Sequence, residues 1–354
     1  MNTQVHSSPS AQGTGPEHDA PPTEALSTPA PATAANAVID FIRPRSAPEV
    51  VQRIMLAVLV GAVVILSILN PVFRSPENLL NILQQASLVG VIALGMQLMI
   101  VSGGFDLSVG AVAAASGCAA AAISLQAGVV PGIIAGLVIG VVVGAVNGVL
   151  IAKIGINPFV ATFGTQAVVM GLTWAATDAR PLTMLPAGWI DLGLFSIGGV
   201  AFPSLVFVAG IIVLLFVMRK TLFGQHIYAV GSNKEGSRRA GIKVNRVLIA
   251  VYTIGGLCAG IAGLLLVTIS GIGNPTAGQQ WALMSIAAVI IGGTPLTGGV
   301  GGISSSVIGV LALTVLTNAL NLYSVSAYWQ PAIMGFAVLA AVSFESWRRI
   351  RNRK

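Results

Sequence analysis

The sequence predicts an all-α polytopic membrane protein of about ten transmembrane helices, with both termini in the cytoplasm. Three observations predict it. Of 354 residues, 55% are apolar and only 8% are charged, and the mean hydropathy is +0.88. A water-soluble domain cannot hide that much apolar surface behind a wettable exterior. From residue 50 onward, apolar runs alternate with short polar breaks, and most runs approach the ~20 residues that a helix needs to cross hydrocarbon. Finally, Lys and Arg fall almost entirely on one side of those runs.

Residues 1–46 stand apart. They are rich in Pro, Ala, Ser and Thr, have no apolar periodicity, and read as a disordered cytoplasmic tail. No basic stretch precedes an apolar one there, so the segment does not read as a secretory signal peptide. A transmembrane domain follows over 47–347, and a basic cytoplasmic tail over 348–354.

The apolar runs lie at 51–70, 80–101, 107–127, 129–151, 159–177, 201–218, 247–270, 281–293, 302–322 and 330–346. The eighth is short. It reads as a half-helix entering a cavity lined by protein, where irregular backbone is tolerated.

Placing the N-terminus inside and alternating sides puts sixteen of the 18 basic residues on the cytoplasmic side. Only Arg74 and Arg180 fall outside. Cytoplasmic loops of membrane proteins carry this excess, so topology accounts for the formal charge of +7, and no nucleic-acid partner is needed. The two cysteines, Cys118 and Cys258, sit in apolar runs and read as buried small residues. The three histidines, His6, His18 and His226, are too scattered for a metal cluster.

The fourth run carries Gly132, Gly136, Gly140, Gly144 and Gly148 at a spacing of four, along one helix face. The seventh carries Gly256 and Gly260 beside Gly255, Ala259 and Gly263. Bare faces of this kind let helices approach backbone to backbone. They serve close packing, or a sliding face in alternating access.

One short pattern occurs twice: "GGFDLSVG" at 103–110 and "GGTPLTGG" at 292–299. A double glycine breaks a helix, so Gly103, Gly104, Gly292 and Gly293 mark two breaks. Asp106 is placed to cap the helix that follows the first. These are capped helix ends, or flexible joints near a gate.

Enzyme signatures are missing. The chain has no G-x-x-x-x-G-K-[ST], no H-E-x-x-H and no G-x-S-x-G, and no catalytic or metal-binding residues are assigned. Carboxylates in the apolar region are scarce, with Asp106 and Glu345 at helix ends, so no buried proton relay is visible. Sodium coupling through carbonyls and hydroxyls stays open. The polar groups inside the runs are neutral: Gln84, Gln85, Gln97, Asn147, Asn157, Thr162, Thr165, Gln166, Asn318 and Asn321. Amides and hydroxyls suit a polyhydroxylated neutral solute, or bond helix to helix. Asn147, Asn157, Thr162, Gln166 and Asn318 are taken as pathway candidates.

The exception to the low charge is "GSNKEGSRRAGIKVNR" at 231–246, within a loop spanning 219–246. Asn233 is placed to start a short helix carrying Glu235, Arg238 and Arg239. Such an element anchors topology, or docks a soluble motor that supplies the energy this chain has no site to harvest.

Five stretches together resemble the permease subunits of ribose/xylose/galactose-type bacterial ABC importers. They are "GMQLMIVSGGFDLSVGAV" (95–112), "NGVLIAKIGINPFVATFGT" (147–165), "FGQHIYAVGSNKEGSRRAGIKVNR" (223–246), "VIIGGTPLTGGVG" (289–301) and "SAYWQ" (326–330). The resemblance covers nearly everything after residue 50. It implies a fold similar to the ten-helix cobalamin-importer type, a homodimer with a second permease copy, a separate ABC ATPase subunit holding ATP and Mg, and a periplasmic sugar-binding protein. It implies the bacterial inner membrane, with lipid around the dimer and no cofactor in this chain. In such importers the coupling loop carries E-A-A-x-x-x-G. Glu235 and Gly241 match its first and last positions, while Gly236 and Ser237 replace the alanines, which implies a coupling helix that is less rigid or begins later. Tyr328, Trp329 and Gln330 are candidates for the periplasmic edge that meets the binding protein, or an aromatic belt. A stand-alone ion-coupled secondary transporter is the alternative.

Overall fold

The computed structural model describes residues 1–2, 47–336, 339 and 343. Nearly all of the expected tail 1–46, about half of the tenth run and the basic tail 348–354 lie outside the described residues. The chain forms α1 (Ala47–Leu69), α2 (Pro76–Val101), α3 (Val109–Ala127), α4 (Val129–Val149), a π-helical turn (Leu150–Ile154) and α5 (Pro158–Thr177). A short α6 (Gly188–Leu194) and the strands β1 (Ser196–Ile197) and β2 (Val200–Ala201) follow. Then come α7 (Phe202–Lys220), α8 (Leu222–Ser232), α9 (Lys234–Arg239), α10 (Val244–Ser270), α11 (Trp281–Ile291) and α12 (Ile303–Leu322).

Among the described residues, eight helices are long and apolar enough to cross a membrane: α1 to α5, α7, α10 and α12. They match eight of the ten expected runs to within a few residues. The eighth run folds as α11, of 11 residues, which at 1.5 Å per residue spans roughly half of the ~30 Å hydrocarbon core. The tenth run opens as helix at Gln330 and is described through Phe336.

Helix boundaries follow local chemistry. Ser75 accepts the amide of Asn78, and Pro76 takes the first position of α2, where a missing N–H costs nothing. Gly128, at φ +93°, turns the chain between α3 and α4. The stretch expected as loop before α7 instead forms α6 and a two-residue antiparallel ribbon pairing Ser196 with Ala201. Trp189 of α6 is fully buried and donates from Nε1 to Ser124 Oγ at 2.9 Å. An indole with one satisfied polar end can pin a short helix in this way.

α10 is the hub, packing against α2, α3 and α4. On the other side, α2 meets α7, α11 and α12, and α1 lies outermost against α12. The contact between α4 and α10 is the most extensive of all. All five ladder glycines of α4 are buried, although most of its other residues are not. A Cβ added at Gly140 would lie 3.0 Å from Gly260 Cα, and one at Gly144 would lie 3.0 Å from Gly256 Cα. A Cβ at Gly148 would lie 2.7 Å from Ile249 Cα. The ladder is therefore a packing surface, with backbone pressed on backbone. α2 crosses α10 in the same manner: a Cβ on Gly95 would lie 2.9 Å from Gly255 Cα.

These contacts leave no side chain able to move aside, so Gly144→Ala is expected to cost about 1–3 kcal/mol through overpacking. Gly61 of α1 has open space around it, so Gly61→Ala is the matched control and should hold or raise stability. Thermal denaturation in detergent, read as the monodisperse fraction remaining, compares the two. Equal midpoints would refute the packing account.

Candidate functional site

The two double-glycine breaks take different local forms around one end of the bundle. After α2 the chain turns at Gly103, φ +85°, and passes Gly104 against the Tyr252 hydroxyl of α10. Asp106 is buried. Its Oδ1 accepts from both the backbone N–H and the hydroxyl of Ser108, each at 2.6 Å. The carboxylate thus secures the residue immediately before α3, as an Asx-type turn, while Ser108 itself occupies the cap position.

Asp106 also reaches across the fold. Asn147 Nδ2, on α4, donates to Asp106 Oδ2 at 3.1 Å and to Ser108 Oγ at 2.9 Å. Thr165 of α5 donates to Asn147 Oδ1 at 2.6 Å. Thr162 Oγ1, also on α5, accepts from Leu107 N at 3.1 Å and donates to Pro158 O at 2.8 Å. One buried network therefore ties the first break to α4 and α5. Burial pushes the Asp106 carboxyl above its usual range, and the bonds from Ser108 and Asn147 pull it back. Among the described residues it has no cationic partner.

The second break turns at Gly293, φ +102°. Gly292 lies against the Ser305 backbone at the start of α12, where a Cβ would meet the Ser305 carbonyl. Behind it, Gln97 of α2 donates from Nε2 to Thr294 Oγ1 at 3.1 Å. Gln97 Oε1 accepts from Ser306 Oγ of α12 at 2.6 Å. Gln97, Thr294 and Ser306 are all buried. Each break thus has a neutral hydrogen-bonding cluster behind it, and a carboxylate only at the first.

The other pathway candidates are spread out. Asn157 caps α5, accepting from Phe159 N at 2.9 Å. Asn318 and Asn78 exchange amide bonds at 2.9 and 3.2 Å, joining α12 to α2. Gln166 is half-buried on α5 and makes no hydrogen bond among the described residues. Asn147 bonds Asp106 and Thr162 bonds the amide of the adjacent Leu107, and the remaining three do not join them. Ser108, Thr294 and Ser306 were not singled out by the sequence, although Ser108 and Thr294 lie inside the repeated pattern. Asn78 carried no signal, because its partner is 240 residues away.

The charged segment 219–246 folds as α8 and α9. Asn233 accepts from Gly236 N at 2.8 Å and starts α9 at Lys234. Gly236 and Ser237 therefore do not delay the helix. Glu235, Arg238 and Arg239 are exposed, with Glu235 bridging Arg238 at 3.6 Å and Arg239 at 3.3 Å. Pairs this exposed add little stability. Gly241, at φ +83°, turns the chain into α10. Tyr328 and Trp329 stand exposed in the turn after α12, and Gln330 donates to Asn321 Oδ1 at 2.8 Å. Among the described residues no cluster of His, Cys, Asp or Glu is arranged to hold a metal.

Three comparisons bear on this arrangement. A family described as "Branched-chain amino acid transport system / permease component" matches residues 78–342. The ribose import permease protein of Bacillus subtilis (strain 168) is 42% identical over 285 residues, covering 79% of this chain and 88% of that protein. The ribose import permease protein of Escherichia coli (strain K12) is 39% identical over 296 residues, covering 82% and 92%. The L-arabinose ABC transporter permease protein of Azospirillum brasilense is 35% identical over 289 residues, covering 81% and 85%. No solved structure matches the chain significantly.

Asn147→Leu should leave Asp106 buried with one donor fewer and Thr165 without its acceptor. A loss of about 1–3 kcal/mol is expected for each group left unsatisfied. Asn157→Ala should cost about 1 kcal/mol, the usual worth of a cap. Thermal melts of both variants in detergent test the ranking, and Asn157→Ala proving the more damaging would refute it.

Proposed function

The chain belongs to the branched-chain amino acid transport system permease component family, and on that premise we propose that it is the membrane permease of an ABC importer for a monosaccharide or similar small polyol. The observation that carries the reading is the likeness, over about four-fifths of the chain, to permeases named for ribose and arabinose. The family description names branched-chain amino acids. The side chains grouped at the two breaks favour the sugar, because they are mostly amides and hydroxyls: Asn147, Thr162, Thr165, Gln97 and Thr294. The charged ends of an amino acid call for paired charges, whereas a polyol is satisfied by neutral donors and acceptors.

Transport proceeds by alternating access. The chain has no phosphate-binding loop, so ATP and Mg belong to a separate ABC ATPase subunit. That subunit docks on the exposed face of α9, around Asn233, Glu235, Arg238, Arg239 and Gly241. The family resemblance and the placement of these charges on a capped surface helix support the role. Gly103, Gly104, Asp106, Gly292 and Gly293 form the gate joints. Asn147, Asn157, Thr162, Gln166 and Asn318 contribute to the polar path. A periplasmic sugar-binding protein docks at the edge bearing Tyr328, Trp329 and Gln330, whose two aromatics are exposed. The working unit is a homodimer with a second permease copy, embedded in lipid of the bacterial inner membrane. It has ten crossings in an arrangement similar to the cobalamin-importer type, and both termini in the cytoplasm. The skewed Lys and Arg distribution supports that orientation.

Glu235→Arg reverses the exposed charge that pairs with Arg238 and Arg239 on α9. It is expected to cut sugar uptake about tenfold or more while membrane insertion stays intact, a coupling loss of roughly 1.4 kcal/mol or more. Uptake of labelled ribose and arabinose by cells with equal membrane levels of both forms measures it, and normal uptake would remove α9 from the docking role. Co-purification from native membranes tests the wider reading. An ATPase subunit is expected to stay bound, and a chain that purifies alone yet moves solute along an ion gradient would be a secondary transporter.

A further inference from the structure

Three parts of the chain meet backbone to backbone at the end of the bundle that carries the charged segment. Gly299, beyond the second break, donates its N–H to Val101 O at the end of α2 at 2.8 Å. Gly231, in the last turn of α8, sits against both: an added Cβ would strike the Val101 carbonyl and lie 2.6 Å from Gly299 N. A Cβ on Gly298 would lie 3.0 Å from Gly103 Cα and 3.1 Å from Gly231 O, and one on Gly299 would lie 2.9 Å from Ser232 Cα. Gly103, Gly298 and Gly299 all have positive φ, at +85°, +79° and +75°, a region that L side chains rarely adopt. One turn earlier on α8, Tyr228 donates its hydroxyl to Gly301 O at 2.7 Å. α8 therefore abuts the point where the two glycine segments meet, backbone to backbone.

That direct contact has a mechanical consequence. Side chains at an interface absorb a displacement by changing rotamer, whereas backbone packed on backbone has no such slack. Small shifts are amplified where packed elements have only discrete arrangements. Behind the first break lies the Asp106 network to α4 and α5. Behind the second lies the Gln97 cluster to α2 and α12. A movement of α8 would thus reach both clusters together.

We propose that the junction of Gly103, Gly231, Gly298 and Gly299, clamped by Tyr228 on Gly301, delivers movement of the 219–246 segment to both helix breaks at once. The inference rests on the reading of that segment as the ATPase-docking element. It adds which backbone positions carry the stroke inward, and that the two halves of the bundle are driven by one helix at one junction instead of separately.

The test uses the complete transporter, with permease, ATPase and sugar-binding protein reconstituted in vesicles. Two variants are compared with the unaltered chain. Gly231→Ala pushes a methyl into the junction, and Tyr228→Phe removes one hydroxyl with no steric change. Sugar moved per ATP hydrolysed is expected to fall about tenfold for Gly231→Ala and about threefold for Tyr228→Phe, the range seen when coupling residues are altered. ATPase co-purification should be unchanged. A purely structural role would lower the yield of assembled complex and leave that ratio as it was. If Gly231→Ala fails to assemble, Tyr228→Phe decides. Variants that assemble and keep the unaltered ratio would overturn the junction. If the unaltered chain retains no ATPase, the docking reading fails first, and the two failures are told apart.

Discussion

In hydrocarbon, burying a leucine against another helix gains little over burying it against lipid, so helices associate where their backbones can come close. This molecule depends on that constraint throughout. α4 lies on α10 through Gly140, Gly144 and Gly148 against Gly256, Gly260 and Ile249. α2 crosses α10 at Gly95 and Gly255, and α11 meets α12 where Gly309 faces the Ala288 carbonyl. Close approach then lets weak interactions act together, because dispersion forces fall away within a fraction of an ångström of radial gap. The glycines of α4 lie on its inner face, and the branched residues Val130, Ile134, Val138, Val142 and Val146 are left pointing outward.

With the apolar packing so dense, several polar residues that remain inside satisfy one another, although Ser116 Oγ has no partner among the described residues. They do so in separate groups: Asp106 with Ser108, Asn147 and Thr165; Gln97 with Thr294 and Ser306; Asn78 with Asn318. Each joins elements far apart in the chain, and each is costly to disrupt because water is not there to replace a lost partner. The first two stand directly behind the helix breaks. In a transporter that rocks between two arrangements, hydrogen-bonded clusters at the joints favour discrete states over continuous bending.

The charged segment connects to this core by the same means that holds the core together. α9 presents exposed charge outward, while α8 turns Gly231 inward onto Val101 and Gly299. A water-facing charged element thereby ends in the kind of contact made between membrane helices.

The sequence by itself determined the helical, membrane-spanning class, the approximate positions of eight spans, the shortness of α11 and the capping of α9 by Asn233. These are local properties. Apolar run length follows from bilayer thickness, and a cap follows from one side chain and the amide three residues on. The repeated double glycine was legible for the same reason, since a helix break needs only its own residues. What only the tertiary structure decided is which polar groups meet. Asn157 and Asn147 are the same residue type ten positions apart; one serves its own helix as a cap and the other bonds Asp106. Nothing local separates them, because the difference lies in how α4 is rotated against α3 and α5. α6 and Trp189 were hidden likewise, since a seven-residue helix gains its stability from the bundle it docks on and not from its own periodicity. That α8 reaches both glycine breaks is a fact about three segments separated by more than sixty residues each. It arises when the bundle closes.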